Sequence, residues 1–176
     1  MKYGDFCTFC AAMMGTDAWP RQCPACKQFM YRNQTPVGLA VIPVYKHEPL
    51  KDPLTFGLFV IRRGKNMSKA GELALAGGFL EGGETWQQGI AREANEETGG
   101  GIQLDADLID TFHVETSLVE NVLLVFGLAQ PGVPYDAIRF VANAEVDDYA
   151  VLWKPEKLAF PTHTKVCKMF FDQFGR

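Results

Sequence analysis

The sequence lacks three features that would each have indicated a class of protein. It has no apolar run as long as a membrane-spanning helix, no block or stripe of basic residues, and no internal repeat or low-complexity tract. With a net charge of −4 as well, we expect neither a membrane nor a nucleic acid as its main partner. No charged segment followed by an apolar one opens the chain, which predicts a cytoplasmic location. The 176 residues, 47% hydrophobic, suffice for one well-buried domain and a small appendage.

Three glutamates, Glu93, Glu96 and Glu97, lie within one turn of a predicted helix. At about 100° per residue, they project from one face of that helix. Carboxylates placed so closely repel one another unless a cation lies among them. Hard divalent ions such as Mg²⁺ take carboxylate oxygens and bridge to substrate phosphates. The cluster therefore indicates a metal site for phosphate chemistry, and the alternative is a solvated acidic helix face.

The residues around these glutamates have a specific spacing. Gly78, Glu84 and residues 92–99 closely resemble the signature of the Nudix hydrolases, which cleave nucleoside diphosphates linked to another moiety. Two packing positions depart from that signature, since Gly100 stands in place of an aliphatic residue and Ala76 in place of a proline. A plain surface helix has no need of these glycines, of Glu84 or of Arg92 at this spacing. The signature therefore disfavours the alternative of a solvated acidic helix face.

The resemblance implies a role for each polar position of the signature. The ligands of Mg²⁺, or of Mn²⁺ in its place, would be the Gly77 carbonyl and the side chains of Glu93, Glu96 and Glu97. Glu84 and Arg92 would be structural partners, because the guanidinium can fix the loop through charge-assisted hydrogen bonds. The metal would polarise a diphosphate and lower the pKa of a water that attacks phosphorus.

An apolar stripe occupies the opposite side of the same predicted helix. Trp86, Ile90 and Ala94 recur every four residues, and Thr85 is a candidate N-cap. We expect the stripe to anchor the helix so that the glutamates face a cleft.

The resemblance leaves the general base open between two sources. One source is a glutamate of the signature, Glu93 or Glu97, and the other is an acid on a later loop. The loop candidates are Glu115, Glu120, Asp147 and Asp148. Glu120 ranks first among these because it directly precedes a predicted apolar strand, and strand ends commonly border a cleft. Each of the four is also compatible with a solvated surface acid.

Two Cys-x-x-Cys pairs near the N-terminus, Cys7 with Cys10 and Cys23 with Cys26, are separated by twelve residues. Structural Zn²⁺ sites take four tetrahedral ligands, and two such pairs supply four thiolates. The alternative of two disulfides requires a secreted protein and leaves Cys167 unpaired. We therefore predict a structural Zn²⁺ that folds a segment too small for a core of its own, with Cys167 as a small buried hydrophobe.

The remaining pattern alternates strands and helices past a polar joint at residues 31–36. This predicts a zinc ribbon over residues 1–33 and a hydrolase domain over residues 34–176. Strands are predicted over residues 37–45, 54–62, 122–129 and 150–153, one or two short strands over residues 102–114, and helices over residues 86–98 and 162–174. Residues 73–80 lead into the loop of the signature. The resemblance implies the Nudix fold, an α/β/α sandwich in which a mixed sheet lies between helices.

The substrate is the least determined expectation. A zinc ribbon before a Nudix domain is similar to the NADH pyrophosphatases and to short hydrolases of FAD or ADP-ribose. The Ser-Gln-Pro-Trp-Pro-Phe-Pro motif of the first group is missing, whereas residues 155–163 loosely resemble the second. Phe79, Phe112 and Phe160 are candidates for stacking on an adenine or flavin ring, although core packing is the alternative for each. We expect a nucleotide substrate and a possible homodimer, and the other reading is a nucleotide-sensing regulatory module that retains the fold.

Overall fold

The computed structural model describes residues 5–15, 19–46, 56–117 and 121–175. The chain divides into two compact units, Met1–Gln34 and Thr35–Arg176. In the first unit, strand β1 (Arg21–Gln22) pairs antiparallel with β2 (Phe29–Met30). Its small core contains two of the cysteines and two methionines, Cys7, Cys23, Met14 and Met30.

The second unit is built on two sheets. The first has the strand order β7 (Gly77–Phe79), β3 (Thr35–Val41), β9 (Val122–Ala129), β8 (Ile109–Ser117), with β3 and β9 parallel and the outer pairs antiparallel. The second has the order β10 (Val133–Pro134), β4 (Pro43–Tyr45), β5 (Phe56–Arg63), β11 (Val146–Leu152), and β6 (Leu73–Ala74) also pairs with β5. Among the described strands of that second sheet, β10 and β4 pair parallel, and the other pairs are antiparallel.

Both faces of the central strands are buried, each in a different hydrophobic cluster. In β3, Leu39 and Val41 belong to one cluster, whereas Ala40 belongs to the other. Helix α1 (Trp86–Glu97) contributes Ile90 and Ala94 to the cluster of Ala40. Helix α2 (Pro161–Phe174) contributes residues such as Val166 and Phe170 to the cluster of Leu39. The helices therefore cover opposite faces, which confirms the predicted α/β/α arrangement with mixed strand pairing.

Two segments of the chain each divide between the two sheets. The predicted strand over residues 37–45 forms most of β3 and all of β4, and residues 73–80 form β6 and β7. Pro43 begins β4, and since proline has no N–H to donate, it favours a break in the ladder. At the crossing, the Ala40 N–H donates to the Ala76 carbonyl at 2.8 Å, which ties the two transitions together.

The other elements differ from expectation mainly at their ends. The strand predicted over residues 102–114 begins only at Ile109, after a short 3-10 turn at Ala106–Leu108, and β11 begins earlier than the predicted residue 150. The predicted hairpin of residues 37–45 and 54–62 corresponds to the antiparallel β4–β5 pair, and its loop over residues 47–53 lies outside the described residues. Neither helix of the described segments combines the length and the apolar character needed to cross a membrane.

Candidate active site

Helix α1 holds the three glutamates of the signature against a cavity. Thr85 is its N-cap and forms a capping box with Gln88, in which each side chain accepts a hydrogen bond from the other residue's backbone N–H. Ile90 and Ala94 are fully buried beneath the helix. The predicted cap and apolar stripe are thus both present, and they fix which face of the helix the carboxylates occupy.

Glu93, Glu96 and Glu97 line one cavity of about 260 Å³. The facing wall consists of Asn143, Ala144 and Glu145, which directly precede β11. The Asn143 side-chain amide donates to the backbone carbonyl of Glu96 at 2.9 Å, which fastens this loop to the helix. The structure therefore adds a fourth carboxylate, that of Glu145, which the sequence interpretation did not include.

Glu97 is the most buried of these acids, with a relative exposure of 5%. The Gly77 N–H donates to its Oε2 atom at 2.7 Å. Burial raises the pKa of Glu97 to about 8, and the negative charge of Glu93 adds to the shift, while the Gly77 hydrogen bond opposes it. Burial also raises the pKa of Glu93. A buried carboxylate among other carboxylates is compensated when a cation is bound, so this donor set fits a hard divalent metal.

Two glycines of β7 form the backbone edge of this site. A Cβ atom on Gly78 would lie 2.6 Å from the carboxylate of Glu93, and one on Gly77 would overlap the Gly38 carbonyl. Gly77 itself has a φ of +149°, which side chains rarely adopt. Gly77 faces Leu39 in the antiparallel ladder, next to the hydrogen-bonded pair of Ala40 and Ala76. Since bonded and non-bonded pairs alternate in such a ladder, the N–H and C=O of Gly77 point away from β3. The Gly77 carbonyl is therefore on the same edge as the N–H that bonds Glu97.

Arg92 connects the loop before the helix to the carboxylates. Its Nη2 and Nε atoms donate to the two carboxylate oxygens of Glu84 at 2.9 and 3.1 Å, and Nη2 also donates to the Phe79 carbonyl at 3.0 Å. Its Nη1 donates to Glu93 at 2.8 Å and to Glu96 at 3.2 Å. The hydrogen bonds from Arg92 lower the pKa of Glu84. This bidentate pair has the geometry expected of a structural clamp.

Three of the loop acids proposed as general bases, Glu115, Asp147 and Asp148, belong to the described residues, and none of the three lines the carboxylate cavity. Glu115 accepts hydrogen bonds from Lys165 at 2.8 Å and from His113 at 3.1 Å, and the Lys165 bond is the main cause of its lowered pKa. Asp147 and Asp148 are exposed on β11. Glu120, ranked first from the sequence, lies outside the described residues.

Gly77 and Gly78 also line a second cavity of about 350 Å³. Its walls are mostly apolar and include Leu39, Leu75 and Leu124, and Arg63 and His163 are among its polar residues. Phe79, with an exposure of 62%, and Phe160 line this cavity, whereas Phe112 packs against the core near Phe174. Of the three aromatic residues suggested for ring stacking, the structure thus places two beside a cavity.

The four N-terminal cysteines form a compact cluster within the first unit. One sulfur atom from each of Cys7, Cys10, Cys23 and Cys26 lies within 4.8 Å of the others, and all four cysteines are free of disulfides. The Cys7–Cys26 and Cys10–Cys23 sulfur pairs are 3.7 Å apart. Zn–S bonds of about 2.3 Å in tetrahedral geometry require sulfur atoms about 3.8 Å apart, so the cluster fits zinc. The backbone N–H of Cys26 donates to the Cys23 sulfur and lowers the pKa of the Cys23 thiol, whereas burial and the other cysteine thiols raise the pKa of Cys26.

Comparison with known proteins places this site in a family context. The model of the NUDIX domain matches residues 44–167. Among solved structures, a NUDIX hydrolase from Nitrosomonas europaea is similar at 20% identity and a TM-score of 0.71, with 96% of this chain and 91% of that chain covered. A mutT/nudix family protein from Listeria innocua is similar at 18% identity and a TM-score of 0.59, with 80% and 94% covered. A MutT NUDIX hydrolase from Burkholderia pseudomallei is similar at 19% identity and a TM-score of 0.56, with 78% and 98% covered. No curated protein sequence matches the chain significantly.

Proposed function

Since the chain belongs to the NUDIX family of hydrolases, which act on the diphosphate of nucleoside diphosphate derivatives, we propose that it is a Mg²⁺-dependent pyrophosphohydrolase. The substrate would be a dinucleotide such as FAD or NADH, or ADP-ribose, and the products two phosphorylated compounds. The observation that carries this proposal is the cavity in which the deeply buried Glu97 meets three other carboxylates.

The metal ligands in this proposal are the Gly77 carbonyl and the carboxylates of Glu93, Glu96 and Glu97. When bound there, Mg²⁺ or Mn²⁺ would polarise the diphosphate and lower the pKa of a water molecule. The chain itself supplies the rigidity of the site, because Arg92 ties Glu93 and Glu96 to the loop that carries Glu84. The Gly77 N–H holds the Glu97 carboxylate at the edge of β7.

Hydrolysis adds water across a P–O–P linkage and requires a group that accepts the proton of the attacking water. Glu93 and Glu97 are candidates from the signature. Glu145 is a third candidate, since it lines the same cavity from the opposite side and its carboxylate forms no hydrogen bond or ion pair with the described residues. We propose that one of these three carboxylates, or that of Glu120, ranked first among the loop acids from the sequence, accepts the proton.

Among substrates, we favour those of the short FAD and ADP-ribose hydrolases. The absence of the NADH pyrophosphatase motif supports this choice, and so does an apolar cavity with two aromatic residues next to the carboxylates. The test is a panel of NADH, FAD, ADP-ribose, UDP-glucose and diadenosine polyphosphates, incubated with Mg²⁺ or Mn²⁺ and followed by release of mononucleotide. We expect FAD or ADP-ribose to be cleaved fastest, and fastest cleavage of NADH would contradict the choice.

The same panel separates the enzyme from the alternative function, a nucleotide-sensing module that keeps the fold. Tight binding of a panel member without turnover at any metal concentration would favour the module. The retention of every carboxylate of the signature, in one cavity, supports the enzyme.

For the N-terminal segment we propose a structural zinc ribbon over residues 1–33 that precedes a hydrolase domain over residues 34–176. The sulfur spacing supports zinc, and metal analysis of the purified protein should give one Zn²⁺ per chain. A homodimer is a further proposal that follows from the resemblance. The molar mass measured by light scattering after size-exclusion chromatography would test it.

A further inference from the structure

The apolar cavity next to the carboxylates contains one buried polar side chain with an unused hydrogen-bonding atom. His163 is 6% exposed and lines this cavity from the first turn of α2. The Leu75 N–H donates to its Nδ1 atom at 3.1 Å. Its Nε2 atom forms no hydrogen bond with the described residues and is not sealed within the protein, so it is open to the cavity.

The protonation state of His163 is set by its surroundings. Since Nδ1 accepts a hydrogen bond, the proton of the neutral ring is on Nε2. Burial, assisted by the positive charge of Arg63, lowers the pKa of His163 to about 4, which keeps the ring neutral near pH 7. His163 therefore presents one N–H donor to the cavity.

The orientation of that donor is fixed by packing. The centroid of the His163 ring lies 4.9 Å from that of Phe160 and 6.1 Å from that of Phe126, to which it is nearly perpendicular. Together with the Leu75 hydrogen bond, these contacts restrain the ring from both sides. The Nε2–H group can thus select the position of an acceptor atom on a ligand.

The rest of the cavity suits a flat, uncharged group. Leu39, Leu75 and Leu124 form an apolar wall, on which an ionised group would be poorly solvated. Arg63 carries the one full charge among the described lining residues, and it is held by hydrogen bonds from Nε to the Ser68 carbonyl at 2.6 Å and from Nη2 to the Ser68 hydroxyl at 3.3 Å. A volume of about 350 Å³ is at the small end of ligand pockets and leaves room for a single ring system.

The position of the cavity connects it to the carboxylates. Gly77 and Gly78 line it, and the same two residues contact the acidic helix, since the Gly77 N–H donates to Glu97 and a Cβ atom on Gly78 would lie 2.6 Å from the Glu93 carboxylate. The two cavities therefore share this backbone edge. A diphosphate at the carboxylates could therefore extend a ring-bearing arm across this edge.

From this arrangement we infer that the apolar cavity binds the aromatic ring of the substrate, and that His163 determines which ring is accepted by donating from Nε2 to an acceptor atom of that ring. The inference rests on the proposed function in taking the ring to be part of a nucleotide substrate. His163 is then a specificity-determining residue, and the ring class is a planar heterocycle with an exposed carbonyl or imine acceptor, such as adenine or flavin.

The test measures binding and needs no turnover. Titration calorimetry of the full chain, without added Mg²⁺, would compare AMP and FMN with ribose 5-phosphate, which lacks the ring. We expect AMP or FMN to bind at least about tenfold more tightly than ribose 5-phosphate, and the better of the two identifies the ring. Equal affinities of all three probes would overturn the inference.

The decisive variant is His163→Asn. The Asn oxygen can replace Nδ1 as the acceptor of the Leu75 N–H, whereas the donor at Nε2 is lost. We expect this variant to weaken binding of the preferred ring probe about tenfold and to leave ribose 5-phosphate unchanged. His113→Asn is the matched control, because His113 lies on β8 and does not line the cavity. An unchanged ring preference in His163→Asn would refute the assignment.

A second measurement covers the case in which His163→Asn fails to fold. The imidazole nitrogen NMR signals of His163 in the wild-type protein should show the Nε2–H tautomer and should shift with the ring probe but not with ribose 5-phosphate. Absence of that shift would also refute the inference. Binding of a ring probe that depends on His163, in a protein that cleaves no diphosphate, would refute the proposed function and leave this inference standing.

Discussion

Replacement of Glu97 by Gln should stabilise the metal-free protein while it abolishes most turnover. The Gln side chain has nearly the same volume and keeps an oxygen that can accept the Gly77 N–H, but it carries no charge. Glu97 is nine-tenths buried, so its ionisation in the absence of a cation is costly. Stability and activity should therefore change in opposite directions.

The pKa of Glu97 gives the size of the stability effect. Its folded-state pKa is raised from the ordinary 4.5 to about 8, so the group stabilises the fold fully below pH 4.5, and this contribution is lost as the pH rises to about 8. One pKa unit corresponds to about 1.4 kcal/mol, which makes the loss roughly 3 kcal/mol at pH 7. Glu97→Gln does not ionise and should be more stable than the wild type by about that amount at pH 7, or roughly 6–12 °C in Tm, and the difference should vanish near pH 4.

Differential scanning fluorimetry would measure the predicted gain in Tm, and mononucleotide release would measure the predicted loss of turnover. Mg²⁺ should raise the Tm of the wild type and change that of Glu97→Gln much less, because a ligand charge is missing. Turnover should fall by about a hundredfold or more at saturating Mg²⁺. Asp172→Asn, an exposed position on α2, is the control that should change neither quantity. Wild-type turnover in Glu97→Gln, or a Tm no higher than wild type without metal, would show that the reasoning is wrong.

Three further predictions concern other parts of the chain. Glu145→Gln should lower kcat by about tenfold or more without changing Tm by more than a few degrees, and full activity in steady-state kinetics would remove Glu145 from the list of proton acceptors. Arg92→Lys should lower the free energy of unfolding by about 1–3 kcal/mol in urea titrations, because the bidentate bond to Glu84 is lost, and an unchanged midpoint would contradict the clamp. Removal of Zn²⁺ by a chelator should increase amide exchange in residues 5–30 and leave the exchange of α1 unchanged, whereas unaltered exchange after verified zinc loss would contradict the ribbon.

Local signals in the sequence were sufficient for the elements that carry the signature. Helix α1 is specified by its N-cap at Thr85 and by a stripe with helical period, and both depend on residues only a few positions apart. Strand β9 follows the predicted run over residues 122–129, because that run is apolar throughout and bounded by polar residues. The convergence of Glu93, Glu96 and Glu97 on one cavity follows from helix geometry alone.

The division of one apolar run into β3 and β4 could not be predicted from its pattern. Both faces of β3 are buried, so the alternation that would reveal its register is absent. Only Pro43 marks the change of sheet, and a proline is also compatible with an edge strand. The partner of each half is decided by contacts with strands far away in the chain.

Glu145 illustrates why the site itself was only partly visible. It approaches the signature helix through Asn143, whose amide bonds the Glu96 carbonyl 47 positions earlier. The local signal was the Asn143 side chain, which accepts hydrogen bonds from the N–H groups of Glu145 and Val146 and so forms an Asx-type turn before β11. That turn predicts a loop, but its distance from α1 depends on the assembled fold.

The seam at which the chain passes from one sheet to the other has a consequence for how this protein could diversify. The crossings at residues 41–43 and 74–77 run side by side, and the apolar cavity opens along them between Leu39 and Leu75. A hollow bounded by diverging backbones persists when single lining side chains are exchanged, since neighbouring atoms can relax only partly into the space. Substitutions of the apolar residues beside the seam, such as Leu39 and Leu75, can therefore remodel selectivity without altering Gly77 or the glutamates of α1.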